Sequence, residues 1–94
     1  LESGISILFV NFGEKEQKTC LNYVTQLRRA GIDCELYPQN AKIQKQMKYA
    51  NDRGAANVIV IGEEEIKTGL VSLKNMESGL QEKHTLPDLI KKLS

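Results

Sequence analysis

Ninety-four residues carry thirteen Lys and Arg against twelve Asp and Glu, a net charge of +1, with 40% hydrophobic and 27% charged positions. A chain this short has room for one core and buries only about 60–65% of the surface it exposes unfolded, yet it is too apolar for wholesale disorder. The near balance of charge excludes a binder held to nucleic acid by bulk positive charge and leaves open a reader with one local basic face.

Ile5-Ser6-Ile7-Leu8-Phe9-Val10 is a nearly unbroken apolar run rich in β-branched residues, which predicts a strand buried on both faces. Asn11-Phe12-Gly13 breaks it. From Glu14 to Ala30 the residues Cys20, Leu21, Val24, Leu27 and Ala30 recur at three- and four-residue steps, the period of a helix. Glu14 and Glu16 in its first turn and Arg28 and Arg29 in its last complement the helix dipole. Gly31 stands where a left-handed cap is expected. Ile32, Cys34 and Leu36 then alternate with Asp33 and Glu35, as in a strand with one wet face or an edge position, and Pro38 ends it. Asn40 is of the right type to cap a second helix, in which Ile43, Met47, Ala50 and Gly54 share a stripe.

Val58-Ile59-Val60-Ile61 reads as another buried strand, stopped by Gly62. Glu63-Glu64-Glu65 is expected to be a solvated turn. Leu70–Leu73 and Leu80–Thr85 flank the turn-forming cluster Asn75-Met76-Glu77-Ser78-Gly79, which predicts an antiparallel hairpin. Thr85 opens a last helix as its N-cap, with Asp88 three residues on, Pro87 tolerated in the first turn, and Leu86, Leu89, Ile90 and Leu93 as its apolar stripe. The expected order is β-α-β-α-β-β-β-α. That is an α/β fold of three layers, a five-stranded mixed sheet with a parallel core flanked by three helices.

Little in the chain carries chemistry of its own. It holds neither a GxxxxGK[ST] loop nor a GxGxxG turn, and Gly13 reads as a tight turn. A single histidine, His84, supports neither a catalytic triad nor an ordinary zinc site, so no catalytic and no metal-binding residue is assigned. Cys20 and Cys34 are too few for a disulfide scaffold and read as reduced core thiols of a cytoplasmic protein. No apolar run approaches the roughly 20 residues of a membrane span. The chain opens at Leu1 with no charged-then-apolar leader, and the expectation is a single domain, about residues 5–93, cut from a longer protein.

The second helix is more informative. Lys42, Lys45 and Lys48 lie on its polar side with Arg53 at its end, against Asp52 alone. This is either an ordinary solvated face or a patch that contacts phosphates. The helix starts at the carboxyl end of a strand, the rim where open α/β sheets bind ligands. Asn40 can cap the helix or offer its amide to a base edge. Phe12 and Tyr37 belong to the same rim and could stack on a base, though Phe12 is equally placed to staple the first helix.

The stretches Ala30–Leu36, Lys42–Ala50, Val58–Glu65 and Gly69–Lys74 together resemble the C-terminal anticodon-binding domain of class II aminoacyl-tRNA synthetases, the family of the histidyl, threonyl, prolyl and glycyl enzymes. The tail Leu73-Lys74-Asn75-Met76-Glu77-Ser78-Gly79-Leu80-Gln81 is most similar to the histidyl branch, where a VKDL-x-SG-x-Q hairpin is typical. The resemblance implies a module that docks on a tRNA anticodon loop, that of tRNA(His) in the histidyl branch. It also implies a parent chain whose separate catalytic domain uses ATP with Mg to attach histidine to the RNA, working as a homodimer. Carried over by position, Asn40 and Lys42 fall at the base-reading helix start, and Glu65 falls where the family places an acidic residue after the third strand. Lys74 falls where threonyl members have an arginine, a departure that removes the bidentate option. The alternatives are the same module from another branch, a regulatory or accessory relative, and a free-standing redox or phosphate-binding α/β protein.

Overall fold

The computed structural model describes residues 6–94; the expected strand start at Ile5 and the opening Leu1–Gly4 lie outside that range. The elements run β1 (Ile7–Phe9), α1 (Glu14–Arg29), β2 (Cys34–Leu36), α2 (Ile43–Asp52), β3 (Asn57–Val60), α3 (Glu63–Thr68), β4 (Val71–Asn75), β5 (Gln81–His84) and α4 (Leu86–Leu93). The sheet order is β2-β1-β3-β4-β5, with β1 parallel to both its neighbours and the β3-β4-β5 segment antiparallel. The mixed five-stranded sheet is the expected one.

The alternation of side chains across each strand divides the core in two. Cys20, Val24 and Leu27 of α1 and Leu86 and Leu89 of α4 pack on Ile7, Phe9, Ile59, Val71 and Leu73. On the other face Leu8, Val10 and Val58 lie beneath α2 with Tyr37, Ala50 and Ala55. Leu8 and Phe9 are fully buried, as a strand with helices on both sides requires. The register Val58↔Lys74↔Gln81 and Val60↔Ser72↔Lys83 puts Ser72, Lys74, Gln81 and Lys83 on the α2 side, where Gln81 and Lys83 are exposed beyond the reach of that helix.

Among the described residues there are four helices rather than three. The Glu63-Glu64-Glu65 run is not a turn but the first turn of α3. Gly62 caps it, with the Glu65 carboxylate accepting from the Gly62 N–H at 2.8 Å. Three carboxylates sit at the positive end of the helix dipole, Ile66 packs on the core, and Gly69, in the left-handed region at φ 76°, ends the helix. A second correction concerns Asn40. The N-cap of α2 is Lys42, whose carbonyl receives the N–H groups of Lys45 and Gln46, and no side chain among the described residues caps the helix. On α1 the stripe is narrower than expected, since Leu21 is 49% exposed.

The edge strand β2 has one outward carbonyl covered by a side chain. Tyr37 turns its N–H inward to Phe9 O, so Cys34, an odd number of residues away, turns its carbonyl outward. The Arg28 guanidinium donates to that carbonyl through Nη2 at 2.9 Å and Nε at 3.3 Å.

Candidate nucleic-acid interface

A parallel core places the carboxyl ends of β1, β2 and β3 on one rim, and the helices that follow them, α1, α2 and α3, all begin there. Phe12 leaves β1 at this rim with 38% of its surface exposed. Its ring lies 3.8 Å from where a Cβ on Gly62 would sit, alongside the N-cap of α3. Gly13 adopts φ 130°, a conformation side chains rarely allow, and the Asn40 amide nitrogen lies 3.8 Å from its would-be Cβ. Asn40 and Lys42 are exposed on the segment that enters α2. Phe12, Asn40 and Lys42 thus line one lip.

Beneath the lip is a buried amide network that the sequence reading missed. The Gln46 Oε1 accepts from the Asn11 N–H at 2.7 Å, while its Nε2 donates to Asn11 O and to Ala41 O, each at 2.9 Å. Asn11 in turn donates through Nδ2 to Tyr37 O at 2.9 Å, and its Oδ1 accepts from the Gly13 N–H at 2.9 Å. Both side chains are buried, Asn11 at 1% and Gln46 at 0% exposure. An unpaired buried amide group costs about 1–3 kcal/mol, and every buried side-chain polar atom among the described residues has a partner. The available signal was Gln46 itself, a polar residue three positions after Ile43 and four before Ala50, on the apolar stripe.

The basic patch is smaller than the composition of α2 suggests. Lys48 is paired with Asp52 at 2.8 Å, and Arg53 reaches Glu35 at 3.4 Å and the Tyr49 hydroxyl at 2.6 Å. Lys42 and Lys45 are exposed and make no ion pair among the described residues. Lys45 shares a helical stripe with Tyr49, whose hydroxyl donates to Glu35 of β2 at 2.6 Å. Lys74 lies on the far flank of α2. The register row Glu35↔Leu8↔Val58↔Lys74 puts it three strand spacings from Glu35, roughly 14 Å.

Two other candidates are otherwise engaged. Tyr37 is only 7% exposed and packs edge-on against Tyr49 with ring centroids 5.2 Å apart, so its ring belongs to the core and offers no face for a base. Glu65 stands near the rim, but its Oε1 is held by the Gly62 N–H and its Oε2 accepts from the Ser72 hydroxyl at 3.1 Å and from Lys83 at 3.4 Å. Burial opposes its charge, yet the Gly62 amide, the Ser72 hydroxyl, its own amide and Lys83 together hold the carboxyl below the usual range. Both carboxylate oxygens of Glu65 are therefore engaged within the fold.

The thiols are not arranged for chemistry. Burial, with the Glu16 charge adding to it, pushes the Cys20 thiol up to about 12. Burial also raises the Cys34 thiol, against the opposing effect of Arg28. Thiolates are the reactive form, so both are kept inert and the redox alternative is not favoured.

Open α/β sheets bind ligands at the carboxyl rim of their parallel strands, where this module exposes aromatic, amide and lysine groups. Residues 5–94 match the family described as anticodon binding domain, and the chain belongs to that family. It is 44% identical over 88 residues to a histidine–tRNA ligase of Phocaeicola vulgatus, covering 94% of this chain and 19% of that protein. The apo histidyl-tRNA synthetase of S. aureus superposes with a TM-score of 0.88 at 29% identity, over 98% of this chain and 24% of that one. The RNA-binding domain of threonyl-tRNA synthetase from Cryptosporidium parvum reaches the same TM-score, 0.88, at 26% identity over 95% of this chain and 22% of that one. The chain therefore spans about a fifth of the length of the histidine–tRNA ligases it matches. No helix among the described residues is long and apolar enough to cross a membrane.

Proposed function

We propose that this chain is one domain of a longer histidine–tRNA ligase and that its lip receives the anticodon loop of tRNA(His). Anticodon bases are unstacked, so their edges and faces are open to side chains. Phe12 supplies a ring for stacking, the Asn40 amide a donor and an acceptor for a base edge, and Lys42 and Lys45 charge for the flanking phosphates. Lys74, on the open half of the sheet, contacts the backbone further along the strand. Glu65 and Tyr37 support the lip from within. The remainder of the parent would carry catalysis, with ATP and Mg, in the cytoplasm, and this domain would pack near the catalytic domain of a homodimer partner.

The observation that carries this reading is the gathering of Phe12, Asn40 and Lys42 on one rim of a chain whose family is defined by anticodon binding. The test is a fluorescence-anisotropy titration of the 94-residue chain against stem-loops with the GUG anticodon, a threonine anticodon and a scrambled loop. Tighter binding of the GUG loop is expected. Equal affinity for all three loops overturns the reading.

A further inference from the structure

We propose that Gln46 is a positioning residue that sets the separation of Phe12 from Asn40 and Lys42; the inference rests on the reading of the lip as the loop-binding site. The Gln46 side chain is fully buried, so it does not itself meet RNA. Its amide grips the Asn11 backbone at both polar groups, accepting from the N–H at 2.7 Å and donating to the carbonyl at 2.9 Å, as a paired strand residue would. The same Nε2 donates to the carbonyl of Ala41 at 2.9 Å. Asn11 immediately precedes Phe12, and Ala41 lies between Asn40 and Lys42. One side chain therefore bolts the segment carrying the aromatic contact to the segment carrying the amide and the lysine.

The two segments are otherwise far apart in the chain, Asn11 and Ala41 standing 30 positions apart. Asn11 adds a second tie through Nδ2 to Tyr37 O at 2.9 Å, so β1, β2 and α2 are joined at the lip by side-chain amides. A leucine or methionine would fill the same space but would leave the Asn11 N–H and the Asn11 and Ala41 carbonyls without this partner. What a glutamine adds is directional: hydrogen bonds fix where the two segments stand, and apolar contacts do not.

The test compares the 94-residue chain with Gln46→Met and Gln46→Glu, titrating a GUG stem-loop and the same stem with a scrambled loop. Gln46→Met keeps the volume and removes both polar groups. The ratio of the two affinities is expected to fall about tenfold, the factor to which one buried hydrogen bond corresponds. The salt slope is expected to stay unchanged, and both affinities are read at a temperature where circular dichroism shows the variant folded. In Gln46→Glu a neutral carboxyl still offers one donor and one acceptor, whereas the ionised form has no donor for the two carbonyls it faces. Its discrimination is expected to fall as pH rises through that ionisation, a step the native amide lacks. Should Gln46→Met not fold, the pH profile of Gln46→Glu decides. Unchanged discrimination in folded variants, or an equal loss of affinity for both loops, overturns the positioning role alone. A native chain that binds both loops equally overturns the loop-binding reading, and the positioning role with it.

Discussion

The carboxylate of Glu65 reaches from α3 to the hydroxyl of Ser72 on β4, accepting its hydrogen bond at 3.1 Å while also capping α3 through the Gly62 N–H. Glu65 is thereby the fastening between a six-residue helix and the sheet. Glu65→Ala is expected to lower stability by about 1 kcal/mol, the usual worth of a helix cap, measured by urea denaturation. The pH dependence has a defined sign. The folded-state carboxyl lies below its ordinary value, so its contribution is present above the ordinary carboxylate range and is lost as pH falls through the folded value. Glu65→Gln is expected to flatten the acid limb of the stability profile; an unaltered limb would count against the fastening.

Gly13 stands at φ 130°, beside the Asn40 amide. Gly13→Ala is expected to cost on the order of 1–3 kcal/mol, the strain of a side chain in that region. The new methyl would stand 3.8 Å from the Asn40 amide nitrogen, in ordinary contact with the lip. Thermal unfolding followed by circular dichroism reads the first effect, and stem-loop affinity at a temperature where the variant is folded reads the second.

Lys42 at the N-cap of α2 and Lys45 within it stand outside ion pairs among the described residues, whereas Lys48 is held by Asp52. Replacing both Lys42 and Lys45 with Ala is expected to weaken stem-loop binding and to reduce the slope of log affinity against log salt by roughly 0.7 per lost phosphate contact. Lys48→Ala is expected to leave that slope unchanged. Equal slopes in the double variant and the native chain would remove α2 from the interface.

Phe12→Ala is expected to cost roughly 1–3 kcal/mol of affinity if a base stacks on the ring, with a smaller effect on stability because the ring is already 38% exposed. Tyr37→Ala reverses that balance, since the Tyr37 ring is packed against Tyr49. Parallel measurement of binding and urea midpoints separates the two aromatics.

Cys20 predicts an alkaline limit. Its thiol is raised by burial and then by Glu16, to about 12, so the folded state prefers the protonated form. The corresponding stability is complete below the ordinary thiol range and is lost as pH climbs from that range toward 12. Cys20→Ala is expected to blunt this loss, and a thiol reagent is expected to label the native chain slowly. Rapid labelling at neutral pH would contradict the buried placement.

How much of this was legible in the sequence follows from what stabilises each part. The strands and the helices α1 and α4 announce themselves because apolar periodicity both encodes them and holds them. Helix α3 was hidden because it has a single core contact, Ile66, and owes its form to capping. Asn40 was misread as a cap because residue type alone suggested it, while its amide turns toward Gly13 instead. Of the rim residues, Phe12, Asn40 and Lys42 share the lip. Lys74 is on the opposite flank of α2, which depends on strand register that no local pattern reveals. Tyr37 and Glu65 are near the rim in sequence, but packing and hydrogen bonding claim them. Asn11 and Gln46 went unseen because their partners are 35 positions apart.

The two hydrogen bonds from Arg28 to the outward Cys34 carbonyl have a consequence for the chain's behaviour in a crowd. An uncovered strand margin recruits other polypeptides and seeds insoluble assemblies. Arg28→Ala is a swap at an exposed site with little packing to lose, yet it would uncover such a margin. Its signature would be turbidity during concentration rather than a lower melting point.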